Sequence, residues 1–131
     1  MKRQPSVSII TPSFQQVEYL EQTIRSVLAQ DYPDMEYIVV DGGSTDGSVD
    51  VIQRYENQLS AWVSEPDAGQ TDAINKGFSM ASGEILAWLN SDDLLYPGAV
   101  SAAVDYLQSN PEIGLVYGDA DYINEEGEVI G

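Results

Sequence analysis

The chain is predicted to fold as a three-layer α/β/α domain around a mostly parallel sheet, and two observations predict it. Short apolar runs at Val7–Thr11, Tyr37–Val40, Ala61–Ser64 and Ile85–Leu89 alternate with stretches whose apolar residues recur at helical spacing. Alternation of this kind gives right-handed crossovers and helices on both faces of a parallel sheet. The runs also end on polar or turn-forming residues: Thr11–Phe14, Asp41–Asp46, Ser64–Asp67 and Asn90–Asp93. Ligands of such sheets bind beyond the carboxyl ends of the strands. Three of these four ends carry aspartates, which is the main sequence argument for a site there.

The elements follow in order. Val7–Thr11 is a β-rich run closed by Pro12 and Ser13. Val17, Leu20, Ile24, Val27 and Leu28 set a helix over 17–30, and Pro33 closes the connection. Tyr37–Val40 is a second buried strand, followed by Asp41, Gly42 and Gly43. Ser44, Thr45 and Asp46 are helix-start residues, and Val49, Ile52, Tyr55 and Leu59 form the apolar stripe behind them. Ala61–Ser64 is a third strand before Pro66. Gly69 and Thr71 precede a third helix with Ala73, Ile74, Gly77, Phe78 and Ala81 on its apolar face. Gly83 is expected to end that helix in a left-handed cap. Ile85–Leu89 then reads as a strand buried on both faces. Pro97 suits the first position of a fourth helix, which continues through Val100, Ala103, Val104 and Leu107. Ile113–Tyr117 is expected to form a further strand, and Tyr122–Ile130 a hairpin-like pair.

At 131 residues the chain suits one compact domain. A hydrophobic content of 43% is that of a globular protein. It has neither cysteine nor histidine, so disulfides, thiolate zinc sites and Ser–His–Asp or Cys–His catalysis are excluded within it. Acid–base or metal chemistry must rest on carboxylates, hydroxyls and amides. The formal charge of −17, from 22 acidic against 5 basic residues, argues against a nucleic-acid partner and against an anionic membrane surface. It leaves room for a small phosphorylated ligand, because a bound cation reverses the local field. No apolar run approaches the roughly 20 residues that span a bilayer. The N-terminus lacks the apolar core of a secretory signal, so the expected location is the cytoplasm. The motifs GxxxxGK[ST] and, after the first strand, GxGxxG are both absent.

Two carboxylates at the end of a buried strand are costly unless something uses them. Asp92 and Asp93 either hold a hard divalent cation or start a solvated loop or helix. Under the first reading Asp92 coordinates Mg²⁺ or Mn²⁺ at a diphosphate, and Asn90 and Ser91 bond a ribose or a metal-bound water. Asp41 is a candidate acceptor for a base or sugar, Phe14 a stacking surface, and Lys76, one of five cations, a phosphate contact. Each also has a plainer role in a turn, in packing or in solvent.

The stretches VSIITPSF, YIVVDGGSTDGS and DAINKGFSMASGEILAWLNSDD, in this order and at these distances, resemble the family 2 glycosyltransferases. The resemblance covers about the first 100 residues. It implies the Rossmann-like GT-A fold and a metal-dependent, inverting transfer of a sugar from a nucleotide-diphosphate donor to an acceptor hydroxyl, in polysaccharide or glycan synthesis. It implies UDP-sugars first among donors, and a glycan or lipid-linked acceptor. Thr11, Pro12 and Phe14 stand where the family's first strand lines the nucleotide pocket. Asp41 stands in the Asp-Asp-Gly-Ser motif, and Asn90–Ser91–Asp92 in the Asp-x-Asp motif, with Asp92 as metal ligand. Three positions depart from the family: Gly42 replaces the second aspartate of the former motif, Asn90 the first of the latter, and Ile74 an arginine. Asp72 or Lys76 is expected to contact the ligand in the arginine's stead. The family's general base comes some tens of residues after the metal motif. Asp119, Asp121, Glu125 and Glu126 do not stand at its place, so the base is expected beyond Gly131. Residues 1–131 are then a single nucleotide-sugar-binding domain, the N-terminal part of a longer enzyme, whose sheet edges offer a route to a homodimer. The alternatives are a binding module that transfers nothing and a sugar-phosphate nucleotidyltransferase.

Overall fold

A computed structural model describes residues 4–110, 112 and 114. Strands β1 (Val7–Ser13), β2 (Met35–Asp41), β3 (Ala61–Ser64) and β4 (Ile85–Trp88) alternate with helices α1 (Val17–Leu28), α2 (Ser48–Arg54), α3 (Gln70–Met80) and α4 (Ala99–Ser109). A 3₁₀ turn, Glu56–Gln58, follows α2. The sheet order is β3-β2-β1-β4 and every pairing is parallel. β1 runs alongside β2 from Val7↔Met35 to Ser13↔Asp41, so the two strands end level.

Period-2 side chains divide the core. Val7, Ile9, Tyr37 and Val39 face one side and pack with Leu20, Ile24 and Val27 of α1, Val51 and Ile52 of α2, and Val100 and Val104 of α4. Ile10, Ile38 and Val40 face the other side, against Ala73 of α3. Burial of each large aliphatic side chain contributes about 1.5–3 kcal/mol. α3 packs closely on β1 because Gly77 has no side chain: a Cβ there would lie 2.4 Å from Ile10 Cγ2.

Several expectations change. β4 is not buried on both faces. Ile85 and Ala87 pack on the larger cluster, whereas Leu86 and Trp88 are 48% and 51% exposed. β4 is an outer strand among the described residues, and a continuous apolar run cannot distinguish that from a central strand. The Trp88 ring meets Phe78 of α3 edge-on, with centroids 6.4 Å apart. Gly83 is not a left-handed cap, because α3 ends at Ala81 in extended backbone (φ −78°, ψ 146°). Gly83 is needed for close approach instead: its N–H donates to Ser8 Oγ at 2.8 Å, and a Cβ would meet that oxygen at 2.5 Å. α4 starts at Ala99 behind Gly98 (φ 79°), so Pro97 precedes the helix rather than opening it. α2 starts at Ser48 behind Gly47 (φ 102°), two residues after Asp46. The expected elements at Ile113–Tyr117 and Tyr122–Ile130 fall outside the described residues. Among the described residues no helix is long and apolar enough to cross a membrane.

Candidate active site

A cleft of about 560 Å³ opens over the carboxyl ends of the strands. Pro12, Ser13 and Phe14 form its floor and lip at the end of β1. Gly42 follows β2, Pro66 and Asp67 follow β3, and Gln70 and Ala73 lie on α3. Asn90, Ser91 and Asp92 close it after β4.

The cleft stands on a buried carboxylate. Asp41, with no solvent exposure, accepts five hydrogen bonds. Oδ1 takes the hydroxyls of Ser13 (3.1 Å) and Ser44 (2.6 Å). Oδ2 takes the N–H groups of Gly43 (3.0 Å) and Ser44 (2.8 Å) and the Ser64 hydroxyl (2.8 Å). One side chain therefore ties together the ends of β1, β2 and β3. Thr11 is also buried, with its hydroxyl 2.7 Å from that of Tyr37, whose phenol burial pushes upward. Both residues lie beneath the cleft rather than on its wall.

The front edge is held by Gln15, whose backbone is left-handed (φ 54°). Its N–H donates to Ser44 Oγ at 2.9 Å, its side-chain amide to Thr45 Oγ1 at 3.2 Å, and its side-chain oxygen accepts the Thr45 N–H at 2.7 Å. Asp46 completes the join. It accepts the Val17 N–H at the start of α1 (3.0 Å) and both the N–H and hydroxyl of Ser48 at the start of α2. Burial works to raise the Asp46 carboxyl, but these bonds outweigh it and leave the carboxyl below its ordinary value. Phe14, carried by this braced turn, stays 60% exposed at the cleft lip.

The Asn90–Asp93 turn is fastened to α1. The Asp93 carbonyl accepts the Thr23 hydroxyl at 2.7 Å, and the Leu95 N–H donates to Ser26 Oγ at 3.1 Å. Gln30 extends the clamp, donating to the Tyr96 carbonyl at 3.0 Å and accepting the Val100 N–H at 3.1 Å. The Asn90 side-chain oxygen accepts from the Gln70 amide, Ser91 is buried, and Asp92 is exposed to the cleft. Burial and the neighbouring Asp92 charge raise the Asp93 carboxyl, partly offset by a hydrogen bond from Asn90.

Pro12, Phe14, Asn90, Ser91 and Asp92 are thus brought together on the cleft wall. Asp72 and Lys76 are not. Asp72 accepts the Ala68 N–H at 2.9 Å. Lys76 pairs with Glu65 at 3.0 Å, a bond that raises its ammonium above the ordinary value. Sequence reasoning passed over Asp67, Gln70 and Gln16 as site residues, though Asp67 closes a strand end already marked by its position.

The donor set bears on a metal. The described residues contain no group of three or more His, Cys, Asp or Glu side chains placed to hold an ion. The Asn90 oxygen already accepts from Gln70, and among the described residues the carboxylates offered to the cleft are Asp67 and Asp92. This set fits a cation that draws its remaining ligands from a diphosphate and water, as Mg²⁺ characteristically does, and not a closed protein cage.

A parallel four-stranded sheet between helices, with the cleft over its carboxyl ends, is shared with solved glycosyltransferases of the GT-A fold. A mannosyltransferase from Pyrobaculum calidifontis, solved with GDP-Man and Mn²⁺, matches at TM-score 0.78 and 29% identity over 86% of this chain and 34% of its own. Staphylococcus aureus TarS 1-349, solved with UDP, matches at TM-score 0.73 and 26% identity over 81% of this chain and 33% of its own. The glycosyl transferase family 2 model matches residues 8–129, and the chain belongs to that family. An uncharacterized glycosyltransferase of Mycobacterium tuberculosis is 40% identical over 120 residues, 90% of this chain and 46% of the relative. A Bacillus subtilis relative named for teichuronic acid biosynthesis, TuaG, is 42% identical over 92 residues, 68% of this chain and 36% of its own length. The chain therefore spans less than half the length of these curated relatives.

Proposed function

We propose that residues 1–131 are the donor-binding part of a metal-dependent, inverting glycosyltransferase that moves a sugar from a nucleoside diphosphate to an acceptor hydroxyl. The observation that carries this reading is the cleft with Phe14 at its lip and Asn90–Ser91–Asp92 on its far wall. Phe14 offers an exposed ring for a nucleobase, and stacking of that kind tolerates any base. Asp92 offers a carboxylate to Mg²⁺ or Mn²⁺ at the diphosphate. Bound there, the cation neutralises charge on the departing nucleoside diphosphate. The braced turns around Asp41 and Thr23 fix both walls before the donor arrives, which lowers the entropy cost of orienting it.

Inversion requires a base to take the proton from the acceptor hydroxyl as it attacks the anomeric carbon. The carboxylates lining the cleft are Asp67 and Asp92. Asp92 is assigned to the cation, and the base is assigned to residues outside those described. A role in surface-polysaccharide synthesis draws support from the name of the Bacillus relative. The nucleotide-diphosphate donor draws support from the ligands of the two solved neighbours. The acceptor is read as a glycan or lipid-linked sugar, and the strands outermost among the described residues, β3 and β4, as routes to a homodimer.

The test is thermal and chemical stability with GDP, UDP, CDP and dTDP, each with and without Mn²⁺. A nucleotide at about 100 times its Kd adds about 2.7 kcal/mol. Asp92→Ala should remove the Mn²⁺-dependent part of that gain. Full retention of the gain by the variant would show that Asp92 is not the metal ligand.

A further inference from the structure

We propose that Gln70 is a positioning residue of the metal turn: acting through Asn90, it holds Asp92 where a cation at the donor's diphosphate meets it. This rests on the donor-site reading above. Asn90–Asp93 is a β-turn, closed by the Asp93 N–H donating to the Asn90 carbonyl at 3.0 Å. Asp92 is its third residue and is exposed to the cleft. An exposed carboxylate on a turn has no fixed direction of its own, so the turn that carries it must be fastened. One fastening is to α1, where Thr23 donates to the Asp93 carbonyl at 2.7 Å. The other is to α3, where the Gln70 amide donates to the Asn90 side-chain oxygen, 20 positions along the chain.

Hydrogen-bond polarity makes this second contact one-way. Asn90 also donates from its side chain to the Asp93 carboxylate, and an ionised carboxylate only accepts. The Asn90 nitrogen is therefore committed to Asp93, and its oxygen needs a donor. Gln70 supplies one from its amide nitrogen. The chain of bonds from Gln70 through Asn90 to Asp93 runs in a single direction, and neither amide can turn over without setting like groups against each other. Gln70 itself stands on a rigid footing at the first position of α3. Gly69 enters the helix at φ +114°, a backbone that favours glycine, and its N–H donates to Asp67 Oδ1 at 3.0 Å. The Ala68 N–H donates to Asp72 Oδ2 at 2.9 Å, and Ala73 is buried against the sheet. Partners that orient a metal ligand from behind are typically worth about 10–100-fold in metal affinity.

Titration calorimetry of UDP and GDP across a Mn²⁺ series tests this on the chain, with urea unfolding measured alongside. Gln70→Met keeps the length of the side chain and removes the donor, and Gln70→Ala removes both. Each should raise the Mn²⁺ needed for half-maximal nucleotide binding about tenfold or more. Metal-free nucleotide binding and the urea midpoint should stay close to the parent's. In an Asn90→Ala background the same changes should have no further effect. A parent-like Mn²⁺ requirement in Gln70→Met would overturn the assignment while the donor site stands. So would the full loss persisting in Asn90→Ala, which would make Gln70 a direct contact of the ligand. An equal loss with and without Mn²⁺, or loss of the fold, would make Gln70 a general support of the cleft and overturn the assignment as well. Failure of both nucleotides to bind the parent with Mn²⁺ would overturn the assignment and the donor site together.

Discussion

Asp41 gives the most exacting test of how the cleft is built. Replacing it by alanine removes a fully buried acceptor and strands two N–H groups and three hydroxyls at the convergence of β1, β2 and β3. A buried donor left unsatisfied costs about 1–3 kcal/mol, so the two fixed N–H groups alone cost about 2–6 kcal/mol. That is a large part of the roughly 5–15 kcal/mol by which a domain is stable. Asparagine has nearly the same shape, and the geometry predicts a much smaller loss. Its oxygen can take the Oδ2 position and keep the N–H groups of Gly43 and Ser44, which cannot reverse. Its amide then faces Ser13 and Ser44 Oγ, and both hydroxyls can rotate to accept. What remains lost is the charge assistance, about 1–2 kcal/mol. Urea unfolding followed by circular dichroism measures both variants. Equal destabilisation of the two, or an alanine variant within about 1 kcal/mol of the parent, would refute the network as the support of the cleft.

Two further predictions follow from exposure and charge. Phe14→Ala should leave the unfolding midpoint nearly unchanged, because the ring is 60% exposed, yet weaken nucleotide binding by about 1–3 kcal/mol, read by calorimetry. Glu36 accepts the Ser8 hydroxyl at 2.7 Å, the Ser82 N–H at 2.9 Å and the Ser82 hydroxyl at 3.2 Å, and these bonds, the Ser8 one foremost, hold it below its ordinary value of 4.5. A lowered carboxyl stabilises the fold above its unfolded value and loses that contribution as pH falls through the folded one. Stability of the parent should therefore drop faster below about pH 4.5 than that of Glu36→Gln in melts across pH 2–7. Parallel curves would remove Glu36 as a source of the acid sensitivity.

Much of this molecule is local and was legible as such. The runs around Val7, Tyr37, Ala61 and Ile85 are strands, and the helical stripes at Leu20–Ile24–Val27 and Val100–Val104 face the core as their spacing predicts. Side-chain periodicity is a property of neighbours in the chain, so it survives without knowledge of the partner. The strand ends, Pro12–Phe14 and Asn90–Asp92, likewise fall on the cleft because a parallel sheet puts all its carboxyl ends on one edge. Misreadings arose where a residue's role depends on something distant. The run at Ile85–Trp88 is uniformly apolar, and nothing in it tells an outer strand from a central one. Gly83 looked like a helix cap, but its purpose is contact with Ser8, 75 positions away in sequence.

The sequence by itself therefore determined the class of fold, the family and the edge of the sheet where the cleft opens, because these rest on periodicity and on short motifs in register. Only the tertiary structure decided what the individual carboxylates do. It buried Asp41 as the tie between three strands, turned Asp46 to the starts of two helices, and seated Asp67 against Gly42. Beside its local partners, each of these side chains meets one across a gap in the chain: Asp41 meets Ser13 and Ser64, Asp46 meets Val17, and Asp67 meets Gly42. The physical reason is that a carboxylate's chemistry is set by the donors and charges around it, and those are assembled by packing rather than by adjacency.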